Sequence, residues 1–173
     1  IYDEVNAKLS SEAFRPRALF ERFQIEILAT TESPLDPLTH HQTLNDSGWQ
    51  GKVITAFRPD PVVDPEFEGF AENVGKLAEI TGENALTWDG YLKALQQRRE
   101  YFKSMGATST DHGHPTATTA DLSRAECERL LSGALAGELS AEEADQFRGQ
   151  MMTEMLRMSL DDDLVVQLHP GSF

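Results

Sequence analysis

Cysteine is almost missing from this chain. Cys127 stands alone, so no disulfide can form within the 173 residues. A reducing, cytoplasmic setting is the expectation that follows. Long apolar runs are missing as well. None approaches the ~20 residues that a membrane span requires, and no secretory signal is expected at the start. Positive charge is scarce: 15 Lys and Arg stand against 29 Asp and Glu, a net charge of −14. That balance excludes a general nucleic-acid binder, which needs clustered cations to neutralise phosphates. It equally excludes adhesion to an anionic membrane surface. No P-loop, no G-x-G-x-x-G and no G-x-S-x-G occurs, which removes the commonest phosphate, dinucleotide and esterase signatures. Internal repeats and low-complexity tracts are absent too. The length excludes a complete eight-stranded (β/α) barrel, which typically needs ~250 residues.

What remains is enough for a core, with 39% apolar residues. Short β-branched runs alternate with longer amphipathic stretches, the pattern of βα units around a parallel sheet. Strands are expected at Ile25–Thr30, Lys52–Phe57, Ala107–Thr110 and Leu164–Leu168. Their near-continuous apolar character predicts burial on both faces. Helices are expected at Ile1–Leu9 and Pro16–Phe23, and from the cap-plus-proline pairs Asp36-Pro37 and Asp64-Pro65. Phe67, Phe70, Val74 and Leu77 share one helical face, and Gly82 stops that helix. Thr87 caps the next. Ser123-Arg-Ala-Glu126 and Ser140-Ala-Glu-Glu143 are capping boxes. The stripe Ala144, Phe147, Met151, Met155 and Met158 reads as core rather than as a cofactor box.

In parallel α/β folds the chemistry gathers at the C-terminal ends of the strands. Here those ends carry Thr30-Thr31-Glu32, Arg58, Asp111-His112 and His169. Parallel strands would bring an arginine, a carboxylate and imidazoles into one cleft. Arg58 fits a carboxylate bidentately, and equally fits a salt bridge to Asp60. Asp111-His112 could serve as base, metal ligand or substrate contact. His169 could bind metal or shuttle a proton. His112-x-His114 has the spacing of a metal pair, but His114 is expected in solvent. His40-His41 reads as exposed polar surface, Cys127 as structural, and Asp161-Asp162-Asp163 as a solvated helix end.

Four pieces then fall into a recognisable order: Phe23-Gln-Ile-Glu-Ile-Leu-Ala-Thr-Thr-Glu-Ser-Pro-Leu-Asp36 with His41 soon after, Phe57-Arg-Pro-Asp60, Thr110-Asp-His-Gly113 and Val166-Gln-Leu-His-Pro-Gly171. Over essentially the whole chain the sequence resembles the uronate (glucuronate) isomerases of the amidohydrolase superfamily. The resemblance implies interconversion of D-glucuronate with D-fructuronate and of D-galacturonate with D-tagaturonate. It implies a (β/α)₈ TIM-like barrel, of which residues 1–173 would form a single α/β segment with about four parallel strands and intervening helices. It implies a divalent metal, zinc foremost, and a small-molecule uronate as partner. A homo-oligomer is compatible with it.

Residue by residue, Arg58 matches the arginine that holds the substrate carboxylate. Asp111 and His169 match polar active-site positions and are the catalytic candidates. The family's H-x-H metal pair on the first barrel strand and its last-strand aspartate are not in this sequence, so the principal metal ligands are expected outside it. Ile1 falls within a helical pattern, and Val165 to Phe173 reads as a strand entering an active-site-like turn. The expectation is a central segment of a longer, metal-dependent barrel protein, inactive by itself. Two alternatives stay open at this point. One is a metal-dependent hydrolase of the same superfamily. The other is a non-catalytic acidic domain that binds a small anion or a partner.

Overall fold

A computed structural model describes residues 1–171. Strands β1 (Ile27–Glu32), β2 (Lys52–Phe57), β3 (Ser109–His112) and β4 (Val165–Leu168) form one sheet in the order β1-β2-β3-β4, every pair parallel. Helix α1 (Tyr2–Leu9), a 3₁₀ turn (Glu12–Phe14) and helix α2 (Pro16–Arg22) precede β1. Helix α3 (Thr39–Asp46) links β1 to β2. Helices α4 (Asp60–Val63), α5 (Phe70–Thr81) and α6 (Trp88–Ser104) link β2 to β3, and α7 (Arg124–Ala136) and α8 (Ala141–Asp162) link β3 to β4. Sequential parallel neighbours joined by helical crossovers form the connectivity of a (β/α) barrel. The α/β class and the four parallel strands agree with the sequence reading.

Local chemistry sets most of the helix ends. The Thr87 hydroxyl accepts from Gly90 N–H at the start of α6. Both capping boxes are complete, Ser123 with Glu126 on α7 and Ser140 with Glu143 on α8. Gly82 ends α5 at φ +74°, a conformation that favours glycine. Phe147, Met151, Met155 and Met158 of α8 are buried, as the stripe predicts. They pack with Trp88, Tyr91, Phe102, Phe70 and Leu77, so the core lies between β2 and the helices α4 to α8.

Several expectations need correction. β1 starts two residues late, because Gln24 takes φ +53° and Ile25 N–H still bonds Phe20 C=O beyond α2. β3 also starts two residues late, since Ala107 N–H is held by Phe102 C=O at the end of α6. Asp36 is not the helix cap: its carboxylate accepts from Leu38 N–H at 2.6 Å in a turn ahead of α3. Asp64 likewise accepts from Glu66 N–H in a turn, and α5 begins only at Phe70, leaving Phe67 exposed. The short helix α4 has no counterpart in the sequence reading. Burial on both faces fails for β1 and β4, whose residues are largely exposed; β2 and β3 are mainly buried. Beside β1 an apolar groove of about 440 Å³ is lined by Phe20, Ile25, Leu28, Trp49 and Val53 among others. The turn expected to run on to Phe173 passes out of the described residues at Ser172. Among the described residues no helix is long and apolar enough to cross a membrane.

Register decides which side chains share a face. Phe57 pairs with Thr110, and His112 pairs with Leu168. This set faces the helices, where Phe57 meets Phe102 edge-on at 5.1 Å between ring centroids. Asp111 pairs with Gln167 on the opposite face. Strand alternation puts Arg58, Gly113 and His169 on that same face.

Candidate active site

The C-terminal ends of β2, β3 and β4 converge as the sequence predicts. Ladder bonding continues past β3 and β4: His169 N–H bonds His112 C=O, and Gly171 N–H bonds His114 C=O, both at 3.2 Å. This extension brings His169 alongside Asp111, although 58 residues separate them. His169 Nε2 lies 2.5 Å from Asp111 Oδ1. Arg58 Nη1 lies 3.7 Å from the other Asp111 oxygen. The three candidates from the sequence, Arg58, Asp111 and His169, therefore form one chain of contacts. Arg58 and His169 keep 38% and 35% of their side chains exposed, and Asp111 keeps 13%. The cluster is open to a solute, yet sheltered enough for charges to interact strongly.

Arg58 also makes the salt bridge that was its alternative reading, with Nε 2.7 Å from Asp60 Oδ2. That hydrogen bond raises the guanidinium pKa above its ordinary value, so the cation is permanent. Nη1 and Nη2 make no hydrogen bond among the described residues; Nη1 faces Asp111 across the 3.7 Å ion pair, and both nitrogens can still donate to a ligand. Beside them, Ser33, Arg58, Asp60, Pro61 and Phe67 line a cleft of about 250 Å³.

The remaining histidines depart from expectation. His112 faces the helix layer, not the cleft, and is 1% exposed; Nε2 pairs with Thr110 Oγ1 at 2.9 Å. Burial pushes its pKa down to about 3, with His114, Arg99, His169 and Arg58 adding to the effect. His114, expected in solvent, is buried, and its Nε2 lies 3.6 Å from Asp60 Oδ1. Burial lowers its pKa while Asp60 and Asp64 pull the other way. His41 is also buried, with Nε2 2.9 Å from Thr30 Oγ1, whereas its neighbour His40 is exposed. Cys127 is buried on α7, and burial raises its thiol pKa, in keeping with a structural role. Asp162 is not a solvated helix end. It accepts from Arg99 Nε at 2.6 Å and from Nη2 at 3.0 Å.

Asp60, His112 and His114 each offer one metal-ligand atom, all within 4.8 Å of one another. Two buried nitrogens there, His112 Nδ1 and His114 Nε2, have no hydrogen-bond partner. The donor types suit a divalent cation. Asp60, however, already serves Arg58 Nε and the Gly113 N–H. A cation at this triad would stand beside a permanent guanidinium and compete for its counter-ion.

The sequence marks Asp60 only as a salt-bridge partner for Arg58, not as a site residue. Its two-residue spacing becomes a contact because Pro59 takes φ −80°, ψ −6°, which turns the chain back on itself. Nothing local marks the burial of His41 or His114, which depends on distant segments.

Comparison with known proteins identifies the relatives of this chain. The family model described as glucuronate isomerase matches residues 1–173. A uronate isomerase of Rhizorhabdus wittichii is 60% identical over 172 residues, covering 99% of this chain and 37% of the relative. One from Xanthomonas axonopodis pv. citri is also 60% identical over 172 residues, with 36% of its length covered. The crystal structure of glucuronate isomerase from Caulobacter crescentus superposes with a TM-score of 0.93 at 53% identity, over 98% of this chain and 36% of that one. The uronate isomerase of Thermotoga maritima gives a TM-score of 0.85 at 29% identity, over 90% of this chain and 35% of its own. The chain thus spans little more than a third of the relatives it matches.

Proposed function

The chain belongs to the glucuronate isomerase family, and on that premise we propose that the protein carrying it interconverts aldose and ketose hexuronates. The substrates are D-glucuronate with D-fructuronate and D-galacturonate with D-tagaturonate. The observation that carries the reading is the Arg58–Asp111–His169 cluster, with a free guanidinium edge at one end and a carboxylate–imidazole pair at the other.

Aldose–ketose isomerisation oxidises C2 and reduces C1 within one molecule, so it needs no external redox partner. It needs a proton relay at one end of the sugar and a grip on the other. Arg58 supplies the grip. Its Nη1 and Nη2 bind the uronate carboxylate, and remote binding energy becomes positioning at the reacting carbons. Asp111 and His169 supply the relay. Asp111 fixes the imidazole ring and opposes the positive charge that forms when His169 takes up a proton. Gly113 leaves room beside it for the side chains of Arg58, Asp60 and His169.

A divalent metal, zinc foremost, accompanies this reading and would polarise the sugar carbonyl. The first-strand H-x-H pair and the last-strand aspartate that the resemblance implies are not among these strand ends, and Asp60 of the local triad is committed to Arg58. No step here is assigned to the metal. Nothing in the fold or the cluster favours the hydrolase or the non-catalytic reading.

The test is Arg58→Ala in the full-length protein, with hexuronate turnover followed by NMR. KM should rise at least about tenfold, while the fold is kept. An unchanged KM, or a wild-type protein that leaves hexuronates untouched, overturns the reading.

A further inference from the structure

The geometry points to Asp60 as the positioning residue that aims Arg58 and holds it in register with the Asp111–His169 pair. The inference rests on the reading of Arg58 as the carboxylate clamp.

Asp60 touches Arg58 and the backbone of the loop that follows Asp111. Its Oδ2 accepts from Arg58 Nε at 2.7 Å. The same carboxylate accepts from Gly113 N–H at 3.1 Å through Oδ2 and 3.3 Å through Oδ1. Gly113 follows His112 at the end of β3, two residues beyond Asp111. One side chain on α4 therefore ties the loop after β2 to the loop after β3, across 53 residues of sequence. Asp60 is itself 11% exposed, so these bonds work in a sheltered setting where charge-assisted contacts are strong.

The choice of nitrogen matters. Arginine has five N–H donors in a rigid planar fork. Engaging Nε from behind fixes the plane of the guanidinium and leaves the Nη1 and Nη2 edge free. That edge is the one suited to a bidentate carboxylate. An exposed arginine without such a partner would sample many rotamers, and ordering it on binding would cost affinity.

Gly113 gives an independent probe of the same arrangement. A Cβ at this position would lie 2.2 Å from Arg58 Nη2, 3.0 Å from Asp60 Oδ2 and 3.2 Å from His169 Cε1. The nearest of these atoms is the tip of a flexible side chain. Gly113→Ala should therefore displace the guanidinium without breaking the backbone.

The experiment measures KM, kcat and Tm for hexuronate isomerisation by the full-length protein. Asp60→Asn keeps the shape but removes the charge. It should raise KM about tenfold, with kcat changed less than about threefold. Asp60→Glu should regain part of the loss. In an Arg58→Ala background, Asp60→Asn should change KM by less than about twofold, because its target is gone. Gly113→Ala should raise KM with Tm within about 2 °C of wild type, and it tests the idea even if Asp60 variants fail to fold.

An Asp60→Asn penalty of the same size in the Arg58→Ala background would mean that Asp60 acts through the fold, and would overturn the inference. So would an unchanged KM in Asp60→Asn where Arg58→Ala raises it; the clamp reading would then survive alone. Zn²⁺ uptake by the wild type that is abolished by both His114→Gln and Asp60→Asn would make Asp60 a cation ligand instead, and would also overturn it. If Arg58→Ala itself leaves KM unchanged, the functional reading fails first and takes the inference with it.

Discussion

The two faces of this sheet carry the same three residue types near one another. On the cleft face stand Arg58, Asp111 and His169; on the helix face stand Arg99, Asp162 and His112. Arg58 has 38% of its side chain exposed and Arg99 1%. Arg99 has spent most of its donors: Nε and Nη2 bond Asp162, Nη2 also bonds Ser159 Oγ at 2.8 Å, Nη1 meets Met155 Sδ at 3.8 Å, and the guanidinium lies 5.6 Å from the centre of the Phe57 ring. Arg58 spends Nε on Asp60 and keeps its outer edge free. His169 pairs with a carboxylate at the cleft, whereas His112 pairs with the hydroxyl of Thr110 in the interior. An arginine, an aspartate and a histidine are thus no signature by themselves. Whether their donors are already spent, and whether a solute can reach them, separates a binding site from a structural network.

Three experiments would break or sharpen that contrast. The largest effect is expected from Asp111→Asn, which should lower kcat by about 10²- to 10⁴-fold with the fold intact, the range for losing a proton-transfer partner. A comparable loss of kcat in Asp162→Asn would erase the distinction between the faces. Arg99→Met comes next. It leaves Asp162 without its buried partner and should cost about 3–5 kcal/mol in urea unfolding, while KM for hexuronate stays within about twofold. A raised KM at normal stability would make Arg99 part of the substrate site.

The smallest effect concerns His112 and pH. Burial holds its pKa at about 3 in the folded chain, against an ordinary 6.5. As pH falls, the unfolded chain takes up the proton first. Stability is therefore complete above pH 6.5 and drains away as pH falls toward about 3. The steepest expected loss is about 1.4 kcal/mol per pH unit. With chelator present, His112→Leu should flatten that loss over about pH 4 to 7, and a slope unchanged from wild type would contradict the burial argument. Adding Thr110→Val should recover stability, since replacing both members of a buried hydrogen bond costs less than orphaning one.

Much of this was legible in the chain. Caps, glycine stops and the methionine stripe are local signals, and the structure follows them at Thr87, Ser123, Ser140, Gly82 and Met151. The strand ends were legible because apolar β-branched runs stop abruptly at Arg58, Asp111 and His169. Other features were not. β1 and β4 read as buried strands, because their side chains are apolar and nothing local says what packs on them. Asp60 read only as a salt-bridge partner for Arg58, because its second partner, Gly113, lies 53 positions away. Asp162 read as one of three solvated carboxylates, because Arg99 reaches it only when α6 packs beside α8.

By itself, then, the sequence determined the order of the strands, the starts of α6, α7 and α8, the end of α5, and the set of polar residues at the strand tips. It left open which of them would meet. In a strand, neighbouring side chains point to opposite faces, so a shift of one residue in pairing exchanges every partner. The register that sets Asp111 opposite Gln167, and His112 opposite Leu168, gives His169 its carboxylate in the cleft and leaves His112 neutral among the helices. That pairing depends on hydrogen bonds between segments joined by two long helices, and only the tertiary structure decided it.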